Sequence, residues 1–110
     1  MATNLNEYIK HNRTDKLTCK KITCKDGFSI SIQASKYHYC EPRITNATEY
    51  YSVECGFPSS VPEFIMDYCK YPKSPTDTVY AYVPIKLVEQ LIDHHGGIDI
   101  VLVGEFSLHD

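Results

Sequence analysis

The sequence predicts an α+β fold, a two-layer sandwich in the order β-β-β-α-β-α-β with one mixed, mainly antiparallel sheet and two helices. Three observations carry that prediction. Phe28, Ile30, Ile32 and Ala34 alternate with Ser29, Ser31 and Gln33, the period of a strand with one buried face. Two proline-opened segments, 61–70 and 84–95, place apolar residues at helical spacing. A chain of 110 residues, 43% hydrophobic and 23% charged, has the length for one core and therefore one domain.

Residues 1–15 read as a flexible polar arm in which Leu5, Tyr8 and Ile9 can form one short amphipathic turn, and residues 16–110 as the folded domain. The domain opens with a hairpin of residues 17–24 and 28–34 around Lys25-Asp26-Gly27. A two-residue Asp-Gly loop would set Ile22 against Ser31 and mix apolar with polar on one face. A three-residue loop with Gly27 left-handed pairs Cys24 with Phe28, Ile22 with Ile30 and Lys20 with Ile32. It keeps the apolar face together, so it is the expected register.

A long connection, 35–49, follows, and loops of that length in small domains serve function or move. Residues 50–57 form the third strand, with Tyr51, Val53 and Cys55 on one face. Pro58-Ser59-Ser60 ends it, and Ser60 is the expected cap of the helix 61–70, whose stripe is Val61, Phe64, Ile65, Tyr68 and Cys69. Residues 78–83 are a β-branched and aromatic strand in which Val79, Ala81 and Val83 are expected to face the helices. Pro84 opens the last helix, with Ile85, Val88, Leu91 and Ile92 inward and Gly96-Gly97 as its stop. Residues 98–103 are apolar at almost every position and predict a final strand covered on both faces.

The densest chemistry lies in Tyr37-His38-Tyr39-Cys40-Glu41-Pro42-Arg43, directly after the clearest strand. Tyrosines stack on flat groups and Arg43 can hold a carboxylate or phosphate through paired hydrogen bonds, so Tyr37, His38, Tyr39, Glu41 and Arg43 are candidate binding residues. Tyr80 and Tyr82, at alternate positions, are expected to project from the open sheet face with Tyr51. A small thiol enzyme centred on Cys40 is the alternative, with His38 or Arg43 activating the thiol. No third orienting group or oxyanion loop accompanies it, so no catalytic residue is assigned. Zinc spacing is missing as well: Cys19 and Cys24 point to opposite strand faces, and His94 and His95 diverge by about 100° on a helix. No metal or other cofactor is expected.

A net charge of −3 disfavours direct nucleic-acid binding. The charge is divided, however: residues 1–25 balance to +4 and residues 26–110 to −7, which reads either as a solvated basic hairpin on a mildly acidic domain or as an acidic face that competes for a basic, nucleic-acid-binding partner. No run of about 18 apolar residues is present for a membrane helix, and the first residues do not resemble a signal peptide. Five cysteines, an odd number, read as reduced thiols of a cytoplasmic protein.

Four segments together carry a resemblance: Ser31-Ile32-Gln33-Ala34-Ser35, His38-Tyr39-Cys40-x-Pro42-Arg43, Val53-Glu54-x-Gly56-Phe57-Pro58, and Pro75-Thr76-Asp77-Thr78-Val79-Tyr80-x-Tyr82-Val83-Pro84, where x is any residue. In these the chain resembles short uncharacterised proteins of phages and bacterial mobile elements, over residues 20 to 97. The resemblance implies a context, inhibition of host defence as in anti-CRISPR proteins, and no catalytic residues. The expectation is a non-enzymatic inhibitor in the bacterial cytoplasm that docks on a defence protein such as a CRISPR effector. The alternatives are a sponge for a nucleotide immune signal and the thiol enzyme. Self-association into a homodimer through the tyrosine face is a further expectation.

Overall fold

The computed structural model describes residues 3–13 and 18–99. Helix α1 (Leu5–His11) leads into β1 (Ile22–Thr23), β2 (Ser29–Gln33) and β3 (Ser52–Gly56). A 3-10 helix (Glu63–Tyr68), strand β4 (Val79–Pro84) and helix α2 (Ile85–His94) complete the order. The four strands form one sheet, β1-β2-β3-β4, antiparallel throughout. The expected α+β class is therefore present and the element order roughly matches, with α1 added at the start; among the described residues every paired strand is antiparallel.

Register follows the apolar pattern. Ile22 stands opposite Ile30, and the Cys24 N–H donates to the Phe28 carbonyl at 2.7 Å, as the three-residue turn requires. Gly27 sits at φ +95°, a left-handed position that only glycine adopts without strain. Beyond Ile22 the ladder is shorter than expected. The Lys20 amide turns to the Asn12 carbonyl, and the Gln33 side chain bonds both the amide and the carbonyl of Cys19.

Cross-strand partners share a face of the sheet. Ile22, Ile30, Ile32, Val53, Cys55, Tyr80 and Val83 line one face, and all are fully buried. The other face carries Ser29, Ser31, Gln33 and Glu54, half-buried and polar. Ile85, Val88, Leu91 and Ile92 turn inward from α2 as the spacing predicts. The segment 61–70 is tighter than the expected α-helix. Its core is the 3-10 turn Glu63–Tyr68, in which Ile65 is the one buried residue; Ser60 provides no cap, and Val61 and Phe64 are exposed. Residues 98–103 were expected to be a strand. Ile98 bridges Cys24 and the Asp99 amide donates to the Thr23 carbonyl at 2.8 Å, while residues 100–103 lie outside the described residues.

The N-terminus departs from the expected arm. Residues 5–11 form a docked helix whose Leu5, Tyr8 and Ile9 belong to the core. Seven residues cannot hold a helix alone in water, so tertiary contacts must supply its stability. The Asn4 side chain caps the Glu7 amide, the Glu89 carboxylate accepts the Leu5 N–H at 2.9 Å, and the Asp93 carboxylate accepts both the amide and the hydroxyl of Thr3. Asn6 pairs its amide with both backbone groups of Tyr50. The low apolar content of the segment concealed this, because three residues on one stripe suffice to fill the site. Residues 1, 2, 14 and 15 of the expected arm lie outside the described residues.

A docked α1 has a measurable consequence. Leu5→Ala removes a fully buried side chain and is expected to destabilise the protein by about 2–4 kcal/mol in urea unfolding. The exposed neighbour Lys10→Ala is expected to change it by less than about 0.5 kcal/mol. Equal effects of the two would mean that the N-terminal segment is loose.

Candidate functional site

The candidate site begins with a register defect. Val53 pairs with Val83 and Cys55 with Tyr80, so Glu54 alone faces both Ala81 and Tyr82. One extra residue in β4 is a β-bulge, which bends the strand and re-aims its side chains. The expected alternation fails at this point. Tyr80 and Val83, three positions apart, both enter the core, whereas Tyr82 is 42% exposed at φ +54°. The Tyr80 hydroxyl donates to the Pro75 carbonyl at 2.6 Å, which satisfies it inside the fold. Tyr80 is thus a core residue, and the candidate surface loses it.

The connection 35–49 lies against this bulge. The Tyr82 N–H donates to the Tyr39 carbonyl at 3.1 Å, and the Glu54 carboxylate accepts the Tyr39 N–H at 2.9 Å. Both backbone groups of Tyr39 are therefore held, one by each strand of the bulged pair. Two residues on, the Glu41 N–H donates to the Ser52 carbonyl. The Glu41 carbonyl accepts the Tyr51 N–H at 2.7 Å, and its carboxylate accepts the Ser52 hydroxyl at 3.0 Å. Glu41 is a fastening residue rather than a free acid.

This anchoring places two phenol rings together. The Tyr39 and Tyr82 centroids are 5.8 Å apart at 43°, within the range of favourable aromatic pairs. The Arg43 guanidinium stands 5.2 Å from the Tyr39 ring centroid and the Lys70 ammonium 5.4 Å, both at cation–π distance. Lys70 was not among the expected site residues. Its amide donates to the Val79 carbonyl, which ties it to the outer edge of β4, and nothing local in the sequence announces that contact. Glu54 was also missed as an anchor, although its place on the polar side of β3 is legible from alternation.

The remaining expected residues are dispersed or used internally. Tyr37 is 62% exposed with the Lys36 ammonium 5.2 Å from its ring centroid. Tyr51 is exposed, its backbone shared between Glu41 and Ile85. His38 Nδ1 lies 2.6 Å from the Ser35 hydroxyl. Burial holds its imidazole below the ordinary range, and the Arg13 and Arg43 charges lower it further against an opposing effect of Glu54. Cys40 is buried, its thiol donating to the Ser35 carbonyl at 3.2 Å, and burial pushes it above the ordinary thiol value. A protonated, enclosed thiol is a poor nucleophile. Among the described residues no three His, Cys, Asp or Glu side chains group as a metal site would need, and no helix is long and apolar enough to cross a membrane.

Comparison with protein-family models, curated proteins and solved structures finds no significant match.

The buried thiols set an alkaline limit. Burial raises Cys40 and carries Cys24 from 9.0 to about 11. Groups raised in the fold stabilise it fully below their unfolded value and lose that contribution as pH climbs to the folded value. The urea midpoint is expected to be level from pH 7 to 9 and to fall between pH 9 and 11. Iodoacetamide at pH 7 should label half-buried Cys69 before the four buried cysteines. First labelling at Cys40 would contradict its enclosure.

Proposed function

We propose that the chain is a binding protein that docks on another protein through the platform of Tyr39, Tyr82 and Arg43, with Lys70 at its edge. The observation that supports this is the paired rings on a backbone fastened at both ends, with Tyr82 held in a left-handed conformation beside them. Tyrosine and arginine are the residues that most often carry interface energy, and a surface ordered before contact loses little entropy on binding. The two cations favour a partner that presents a carboxylate beside an apolar contact. The resemblance to small phage proteins suggests the setting: inhibition of a bacterial defence system, the partner being a defence protein such as a CRISPR effector. Capture of a nucleotide signal is less well supported, because Arg43 and Lys70 already stand over the ring on which a base would stack.

Tyr39→Ala and Arg43→Ala are each expected to weaken inhibition of the target defence system at least about tenfold, the scale of an interface hot spot. The exposed Lys10→Ala, on α1, serves as a control outside the platform. Variants with wild-type melting temperature and undiminished inhibition would contradict the platform. A melting-temperature rise with one of a panel of cyclic nucleotides would favour nucleotide capture instead.

Tyr82→Gly separates stability from binding. Glycine adopts φ +54° freely, so the substitution relieves about 1 kcal/mol of backbone strain while deleting a platform ring. Strain relief offsets the lost ring contact and the added chain entropy, so the expected outcome is stability within about 1 kcal/mol of wild type with weakened docking. A loss of both would show that the ring serves the fold.

A further inference from the structure

A second constellation joins the β1–β2 turn to the end of α2. Both carboxylate oxygens of Asp26 are engaged: Oδ1 accepts the Phe28 N–H at 2.9 Å and Oδ2 lies 2.6 Å from His95 Nδ1. The backbone reinforces the join, the Asp26 and Lys25 amides donating to the carbonyls of His95 and Gly97. The Phe28 ring stacks on the imidazole at 4.0 Å and 8°. His95 is thus fixed by a carboxylate at one nitrogen and by an aromatic plane on its face. Its other nitrogen, Nε2, makes no hydrogen bond among the described residues. Since none of their buried side-chain nitrogens or oxygens lacks a partner, Nε2 is not fully enclosed. His95 also lines a pocket of about 380 Å³.

We propose that this pocket is a hydrolytic site for small neutral esters, with His95 as general base and Asp26 as its positioning residue. A carboxylate on Nδ1 holds the proton there and leaves the Nε2 lone pair facing outward, the arrangement a general base needs. Val61, Phe64 and Leu91 give the pocket an apolar wall for a short acyl chain, while Glu63 in the same lining disfavours an anionic substrate. Ser60 and His94 in the lining carry groups able to donate to a carbonyl oxygen, and the His94 and Phe64 rings meet edge to face at 5.1 Å. In the reaction His95 Nε2 takes a proton from water as the water oxygen bonds to the carbonyl carbon. The tetrahedral adduct then expels the alkoxide, which receives that proton from Nε2. Ester and water become acid and alcohol, and the imidazole is regenerated.

The site differs from the tyrosine platform and shares no residue with it, so either can fail alone. The test uses the full chain with p-nitrophenyl butyrate. Saturable hydrolysis is expected, about 10²-fold faster than the same concentration of free imidazole, the scale of general-base catalysis. His95→Gln should abolish the acceleration. Asp26→Asn should lower kcat at least tenfold with little change in KM, as befits a positioning residue. His11→Gln, an exposed histidine on α1, should leave the rate unchanged. Wild type no faster than imidazole, or variants of unchanged melting temperature at the wild-type rate, would overturn the proposal. If the variants unfold, titration of intact wild type with butyramide, an unreactive neutral analogue, decides by NMR. Displacement of the His95 ring resonances is expected, and unmoved resonances would overturn the assignment.

Discussion

Glu54 faces two residues of β4 where a regular ladder would give it one, and much of the surface depends on that mismatch. The added residue lets Tyr80 and Val83 both reach the core across an interval that alternation forbids. It leaves Tyr82 directed outward at a positive φ and directs the Tyr82 N–H toward the Tyr39 carbonyl. Without the extra residue, either Tyr80 or Val83 would leave the apolar layer. The core therefore fixes the bulge, and the bulge fixes the platform. Strain of this kind persists where surrounding packing over-determines it.

The connection after β2 is ordered by the same economy. A polar sheet face could stay in water, but here Glu54 and Ser52 give its groups to the loop. Tyr39 is held through both backbone groups, and Glu41 through amide, carbonyl and carboxylate. Each bond contributes on the order of 1 kcal/mol, so five within three residues are comparable to the roughly 1–2 kcal/mol per residue of backbone entropy that fixing the segment costs. Cys40, between the two anchors, is carried inward. What the sequence presents as a cluster of reactive groups becomes a structural spine with two outward rings.

The parts of the fold visible in the sequence are those governed by local periodicity. The hairpin register, the inward face of α2 and the left-handed Gly27 all follow from alternation, helical spacing and turn chemistry. Three features escaped because they are decided by distant partners. α1 depends on Glu89, Asp93 and Tyr50 far along the chain. The bulge carries no glycine or proline to mark it. Lys70 meets Tyr39 only because the 3-10 turn returns to the edge of β4. Of the expected binding residues, Tyr39, Arg43 and Tyr82 converge, Tyr37 and Tyr51 are exposed elsewhere, and His38, Glu41 and Tyr80 serve internal contacts. The clamp of Asp26 on His95 was equally hidden, since a helix ending in histidine has an ordinary electrostatic explanation.

The most direct test of a platform set by the bulge is amide hydrogen exchange of the free protein, resolved at Tyr39 and Tyr82 by NMR. Both amides are expected to exchange far more slowly than those of exposed loop residues, and the two rings to show mutual cross-relaxation. Exchange of the Tyr39 and Tyr82 amides at the rate of unstructured peptide, with no contact between the rings, would contradict the account.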